Sequence, residues 1–241
     1  MSEQQIVEYR QQLDRYGDSF AKVLPAHTSR DKLIRMAESA VRLNEKLLSC
    51  ERGSLMRSIM TGAILGLEID GVTGQAFLVP FKGKVQLIIG YKGYITLAWN
   101  SRFLLEGEIV RENDRFAYEK GNAPYLNFSP QSPTASNEQR GAVVAAFAIA
   151  RHADSALSTF HVSTMDEIVA SRQNSSGYKY DATSSPWTTN FSEMAKKTAI
   201  RALADQLPLN VQRAAAIEAK HDQTGAAVYL NSEAVPEVDA A

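Results

Sequence analysis

The chain has 241 residues, of which 44% are hydrophobic and 22% charged, enough to bury a core in an ordinary globular protein. No stretch approaches the roughly 18 consecutive apolar residues that span a membrane, the polar start MSEQQIVEYRQQL is not expected to be a signal peptide, and one cysteine, Cys50, excludes an intrachain disulfide and fits a reducing cytoplasm. The net charge of −1 argues against nucleic acid only while it is taken as a whole.

In chain order, residues 3–16 have helical composition, with Ile6, Tyr9 and Leu13 at helical spacing. Leu24-Pro25 ends that region, and Thr28-Ser29 offers an N-cap for a helix over about 30–48 with a broad apolar face. Gly53-Ser54 opens a third helix to about Leu67, in which Gly62 and Gly66 mark close packing or a helix end. Residues 75–81 and 84–89 then read as two strands joined at Lys82-Gly83, a hairpin with glycine at positive φ. Pro80 places the first strand at a sheet edge, and Leu87-Ile88-Ile89 reads as covered on both sides. Tyr91–Ser101 has helical spacing.

Residues 104–111 and 115–119 read as strands around the turn-prone Glu112-Asn113-Asp114. Residues 121–137, with three prolines, are expected to be a mobile loop. GAVVAAFAIA over 141–150 reads as a buried strand, paired with 156–162. His161 has no His or Cys neighbour at ligand spacing, so no metal is expected there. Thr164 and Glu167 form a capping box for a helix to about Arg172. The polar loop 173–185 holds Tyr178-Lys179-Tyr180, a lysine between two rings. Trp187 opens the last large helix, which Pro208 breaks, and Leu209–Ala219 reads as one more. The architecture expected is α+β, a β-hairpin and mainly antiparallel sheet packed with helices. Residues 1–219 are expected to form a single domain whose N-terminal helices serve oligomerisation, and 220–241 a flexible acidic tail.

The sequence lacks GxxxxGK[ST], HExxH and GxSxG, so neither a phosphate-cradling loop nor a hydrolytic centre is expected, and no cofactor. A metal-dependent nuclease would need several carboxylates converging, which spacing alone does not show. What remains is binding chemistry. The charge after Ile217 is −4, which leaves the body at +3. Lys82, Lys84 and Lys92 lie on one hairpin-helix unit beside Tyr91 and Tyr94. Lys197 and Arg201 stand four residues apart on the last helix. Lys196 falls among its apolar positions, where it must snorkel, meet a ligand or pair with Glu193 or another carboxylate. Cations beside aromatic platforms are what a sequence-tolerant single-strand binder needs. Trp187 reads as the anchor of the helix start.

The segments GLEIDGVTGQAFLVPF, KVQLIIGYKGYITLA, IVRENDRF and PWTTNFSEMAKKTAIRALADQLP resemble the RecT family of phage and prophage recombinases, related to Red beta. The likeness runs from about Leu24 to Arg213 with the motifs in order; the two ends do not match. The resemblance implies an annealing-protein-like core and an ATP-independent, oligomeric single-strand annealing protein in a bacterial cytoplasm, active in DNA recombination and repair. Its implied partners are single-stranded DNA and the complementary strand, a 5′→3′ exonuclease and a host single-strand-binding protein. Carried onto these residues, it puts Tyr91, Lys92, Lys196, Lys197 and Arg201 in a DNA groove, with Lys82 and Lys84 on a hairpin tip that varies in the family. The rival expectation is an oligomeric scaffold or partner-binding protein whose basic residues are a solvated surface.

Overall fold

The computed structural model describes residues 3–25 and 28–208. The expected helix at 209–219 and the acidic tail lie outside them. The described chain is α+β, with antiparallel strand pairs throughout. It divides into two compact units, meeting in sequence at Leu97 and Ala98, and each is described by itself.

In the first unit, α1 (Glu3–Arg15) buries Tyr9 and Leu13 and packs on α3. The short α2 (Gly17–Ala21) buries Phe20. α3 (Arg30–Leu43) starts where the Ser29 hydroxyl accepts the Lys32 N–H at 3.2 Å. It ends five residues earlier than the helix expected to run to 48. Asn44 leaves the helical region, at φ −142° and ψ 88°, and its side chain accepts the Lys46 N–H to start a 3₁₀ turn, Glu45–Ser49. A short polar side chain offering the backbone an alternative hydrogen bond is what stops the helix. α4 (Arg52–Leu65) ends on Gly66, whose φ of 67° a side chain would resist. Gly62 serves packing: a Cβ there would meet the Ile69 side chain at 2.5 Å.

β1 (Ala76–Phe81) and β2 (Lys84–Ile89) form the expected hairpin. Both turn residues, Lys82 (48°) and Gly83 (77°), have positive φ, the geometry that matches strand twist. Pro80 lies opposite Val85. Counting from the turn, that pair falls where antiparallel strands exchange no hydrogen bond, so the missing N–H of proline costs the ladder nothing. The outward backbone groups of Val85 go to α4. Its N–H donates to the Ser54 hydroxyl at 2.8 Å, and its carbonyl accepts from Ser58 at 3.0 Å. Two buried serines thus serve β2 where a neighbouring strand would. α5 (Tyr91–Asn100) follows, and the chain passes to the second unit within it.

The second unit opens with β3 (Phe103–Arg111), β4 (Arg115–Glu119), β5 (Tyr125–Ser129), α6 (Asn137–Arg140), β6 (Val143–His152) and β7 (Ser158–Thr164). It closes with α7 (Met165–Asn174), α8 (Ser176–Tyr180), α9 (Pro186–Thr189) and α10 (Phe191–Ala204). The main sheet has the order β3-β6-β7, and β4 pairs with β5. Alternation along β6 sorts its side chains. Ala146, Ala148 and Ala150, each fully buried, face α10 together with Gly107. Phe147 points the other way, where Phe116 stacks on it at 5.6 Å and Phe128 lies at 5.1 Å.

The segment expected as a mobile loop holds β5. Its five residues lie between Pro124 and Pro130, too few for a clear alternation signal, and the strand is defined by the burial of Phe128 and Leu126 against Phe147 and its neighbours. The chain beyond β5 is clasped by the Arg111-Glu112-Asn113-Asp114 run. Arg111 Nη1 donates to the Gly141 carbonyl at 2.8 Å and Asn113 Nδ2 to the Gln139 carbonyl at 2.8 Å. Glu112 Oε2 accepts the Ala142 N–H at 3.2 Å. Asp114, its side chain fully buried, accepts from Arg140 at 2.9 and 2.7 Å and from the N–H groups of Arg111 and Gln131. The sequence motif is therefore a structural lock. α7 runs two residues past Arg172, and the polar loop after it contains α8. The last helix is interrupted at Asn190, which separates α9 from α10.

The Arg140 guanidinium holds the Asp114 carboxyl down at about 2, from an ordinary 3.8, against the opposing effect of burial. A depressed acid stabilises the fold above its unfolded value and loses that contribution as pH falls through its folded one. Urea melts should show this stability fully present above about pH 4 and draining towards pH 2. Asp114→Ala should lose about 3 kcal/mol at neutral pH, because it strands Arg140, and should flatten the acid limb.

Candidate nucleic-acid interface

On the hairpin, Lys82 and Lys84 are exposed, and the Lys82 ammonium sits 5.2 Å from the centre of the Phe81 ring. The tip is not loose. Its Gly83 carbonyl accepts the Glu51 N–H at 2.8 Å. At the other end of β2 the Gly90 N–H donates to the Gln75 carbonyl at 2.8 Å. A Cβ on Gly90 or Gly93 would lie 2.1 or 2.2 Å from the carbonyl oxygens of Gly74 and Gln75. These glycines let one backbone pass over the start of α5. They set the position of the residues between them, the half-buried Tyr91 and the exposed Lys92.

Tyr94 is a different case. It is 0% exposed and among the largest fully buried side chains in the described chain. One helical turn from Gly90, it faces inward, so its ring is part of the core and offers no platform to a base. Alternation of lysine and tyrosine in the sequence does not distinguish the two rings; the helical period does.

On the second unit, α10 rests on the sheet through Ala195, Ala199, Ile200 and Leu203, all essentially inaccessible. A Cβ on Gly107 would meet Ile200 at 2.7 Å, so the helix lies close to β3. Lys196 shares that inward arc. Its ammonium is 3.4 Å from Glu193 and 3.8 Å from Glu108, and its side chain is 23% exposed. The pairing with Glu193 that the sequence offered is present, and Glu108 adds a second carboxylate. Lys197 and Arg201 are half-buried, one turn apart. Trp187 is 4% exposed beside Phe191, and its backbone N–H donates to the Ser185 hydroxyl, which fits the expected anchoring role.

Two of the exposed aromatics stand out: Trp99, which the sequence did not single out, and Tyr180, which it did as part of Tyr178-Lys179-Tyr180. Trp99, at the end of α5, is 63% exposed, and Tyr180 is 84% exposed. For Trp99 the signal was its position seven residues, two helical turns, beyond Lys92. Among the described residues no His, Cys, Asp and Glu converge as metal ligands, and no helix is long and apolar enough to cross a membrane.

The family model for RecT matches residues 31–232. The chain belongs to the RecT family. It is 35% identical to Protein RecT of Escherichia coli K12 over 219 residues, covering 86% of this chain and 78% of that one. A second relative, the uncharacterised protein YqaK of Bacillus subtilis, is 51% identical over 45 residues, 19% of this chain and 16% of its own. RecT membership makes this a DNA-binding protein of recombination and strand annealing.

If Tyr94 belongs to the core and Tyr91 to the surface, their truncations separate in urea melts. Tyr94→Ala should cost about 3–5 kcal/mol, and Tyr91→Ala about 1 kcal/mol or less. Equal small losses would return Tyr94 to the surface set.

Proposed function

We propose that this RecT-family chain is an ATP-independent single-stranded DNA-binding and annealing protein, working on an oligomeric filament or ring without making or breaking a covalent bond. The family match over residues 31–232 carries the reading. The absence of GxxxxGK[ST] from the sequence supports the independence from ATP. The contacts proposed are Lys92 with Tyr91 on the first unit and Lys196, Lys197 and Arg201 on the second. Lys82 and Lys84 form a rim. Tyr94 acts only by supporting α5.

The mechanism rests on the information each contact can sense. Phosphates carry no sequence information, so cations fix the strand without choosing it. Bases left free to pair then test an incoming strand, and only complementarity makes it stay. Polymerisation makes many weak contacts act together. The N-terminal helices are the proposed subunit contacts. A 5′→3′ exonuclease is the proposed source of the single strand in the bacterial cytoplasm, and a host single-strand-binding protein its competitor for it.

The test is oligonucleotide binding against salt. Each phosphate contact on a single strand contributes about 0.7 to the slope of log K against log salt. Lys197→Gln with Arg201→Gln should lower that slope by about 1.4 and abolish most annealing, with the fold retained by circular dichroism. A flat salt response of the unmodified protein would favour an oligomeric scaffold instead, and an unchanged slope in the double variant would remove α10 from the contact.

A further inference from the structure

We infer that α8 is a further contact for single-stranded DNA, in which the Tyr180 ring stacks on a base and Lys179 meets a neighbouring phosphate. The inference rests on the DNA-binding reading above and extends it to a segment outside the proposed contacts.

The turn is built rather than loose. Ser175 caps α8 by accepting the Tyr178 N–H. Tyr178 is half-buried, with the Arg172 guanidinium 5.5 Å from the centre of its ring. This stack fixes one side of the short helix. Tyr180, two residues on, is rotated by about 200° to the other side and is 84% exposed, the largest exposure among the large apolar and aromatic side chains of the described chain. Lys179 between them is also exposed.

The neighbouring acid, Asp181, keeps its negative charge but turns both oxygens into the loop, and with Arg172 and Lys179 the segment carries two cations against it. Asp181 Oδ1 accepts the N–H groups of Thr183 at 2.9 Å and Ser184 at 3.2 Å, and Oδ2 accepts the Ser184 hydroxyl at 2.6 Å. Those bonds hold its carboxyl below the ordinary carboxylate range and commit both oxygens to the loop. Thr188 Oγ1 ties the same loop to α9 through the Ala182 carbonyl. The ring of Tyr180 is therefore presented on a turn anchored at both ends. A preformed aromatic surface loses little conformational freedom on binding. Two cations, Arg172 and Lys179, stand within this one segment. Flat ring plus positive charge is the chemistry that takes a base and its phosphate, tolerant of sequence because every base has a π-face.

The experiment uses the full chain and labelled oligo-dT across a salt series. Tyr180→Ala should bind roughly tenfold more weakly at every salt concentration, with the salt slope unchanged, because stacking releases no counterions. Tyr180→Phe should bind like the unmodified protein. Lys179→Ala should lower the slope by about 0.7. Tyr180→Trp supplies a direct readout: oligo-dT should quench emission beyond the quenching seen in the unmodified protein. Undiminished binding by Tyr180→Ala, or equal losses in Tyr180→Ala and Tyr180→Phe, would overturn the inference while the DNA-binding reading stands. Failure of the unmodified protein to bind oligo-dT would overturn both. Loss of binding to another protein, with oligo-dT binding intact, would assign the ring to protein docking.

Discussion

The close seating of α10 on a sheet face stripped to alanine and glycine is the contact on which the second unit depends. Ala146, Ala148 and Ala150 on β6 and Gly107 on β3 leave no side chains to hold the helix away. Ile200 and Leu203 fill the shallow space that remains. Protein interiors are packed densely enough that one added methyl at Gly107 would force a shift. That same seating brings Lys196 within reach of Glu108 on β3 and fixes the direction of Lys197 and Arg201. α10 is thus defined as much by what it lies on as by its lysines.

Several charges of the described chain are committed inside it. Arg140 is paired with Asp114, Arg102 with Asp154, Arg151 with Glu106 and Lys32 with Glu68. The solvated pairs Arg151–Glu106 and Lys32–Glu68 each contribute about 1 kcal/mol or less, far less than the buried Arg140–Asp114 pair, but all of these pairs decide which cations remain for a polyanion. Lys82, Lys84, Lys92 and Lys179 are exposed lysines outside any of these pairs. Lys196 would have to exchange its carboxylates for phosphate, so it sits closer to the core chemistry than its place in the motif suggests. A near-neutral chain can therefore carry local basic surface.

The hairpin, the strand GAVVAAFAIA and the Thr164–Glu167 capping box were legible because each is specified by residues close in sequence. The end of α3 at Asn44 was missed because a polar side chain competing with the helix leaves no periodic signal. β5 was missed because its burial depends on Phe147, which is far from it in sequence. The basic residues of the candidate interface were legible as residue types, but their availability was not. Whether Lys196 is paired, or Tyr94 is inside, depends on Glu108 and on the helical register. The glycines of Gly90-Tyr91-Lys92-Gly93, which look like a binding loop in one dimension, are sites of backbone crossing in three.

The central claim is that the protein holds one strand by its backbone and leaves the bases free to select a complement. Annealing of two labelled complementary oligonucleotides, followed by energy transfer without any nucleotide triphosphate, tests it most directly. Acceleration well above the spontaneous rate for complementary strands, and none for non-complementary ones, is the predicted result. Strands bound with no gain in pairing rate, or a gain that appears only with ATP, would contradict it.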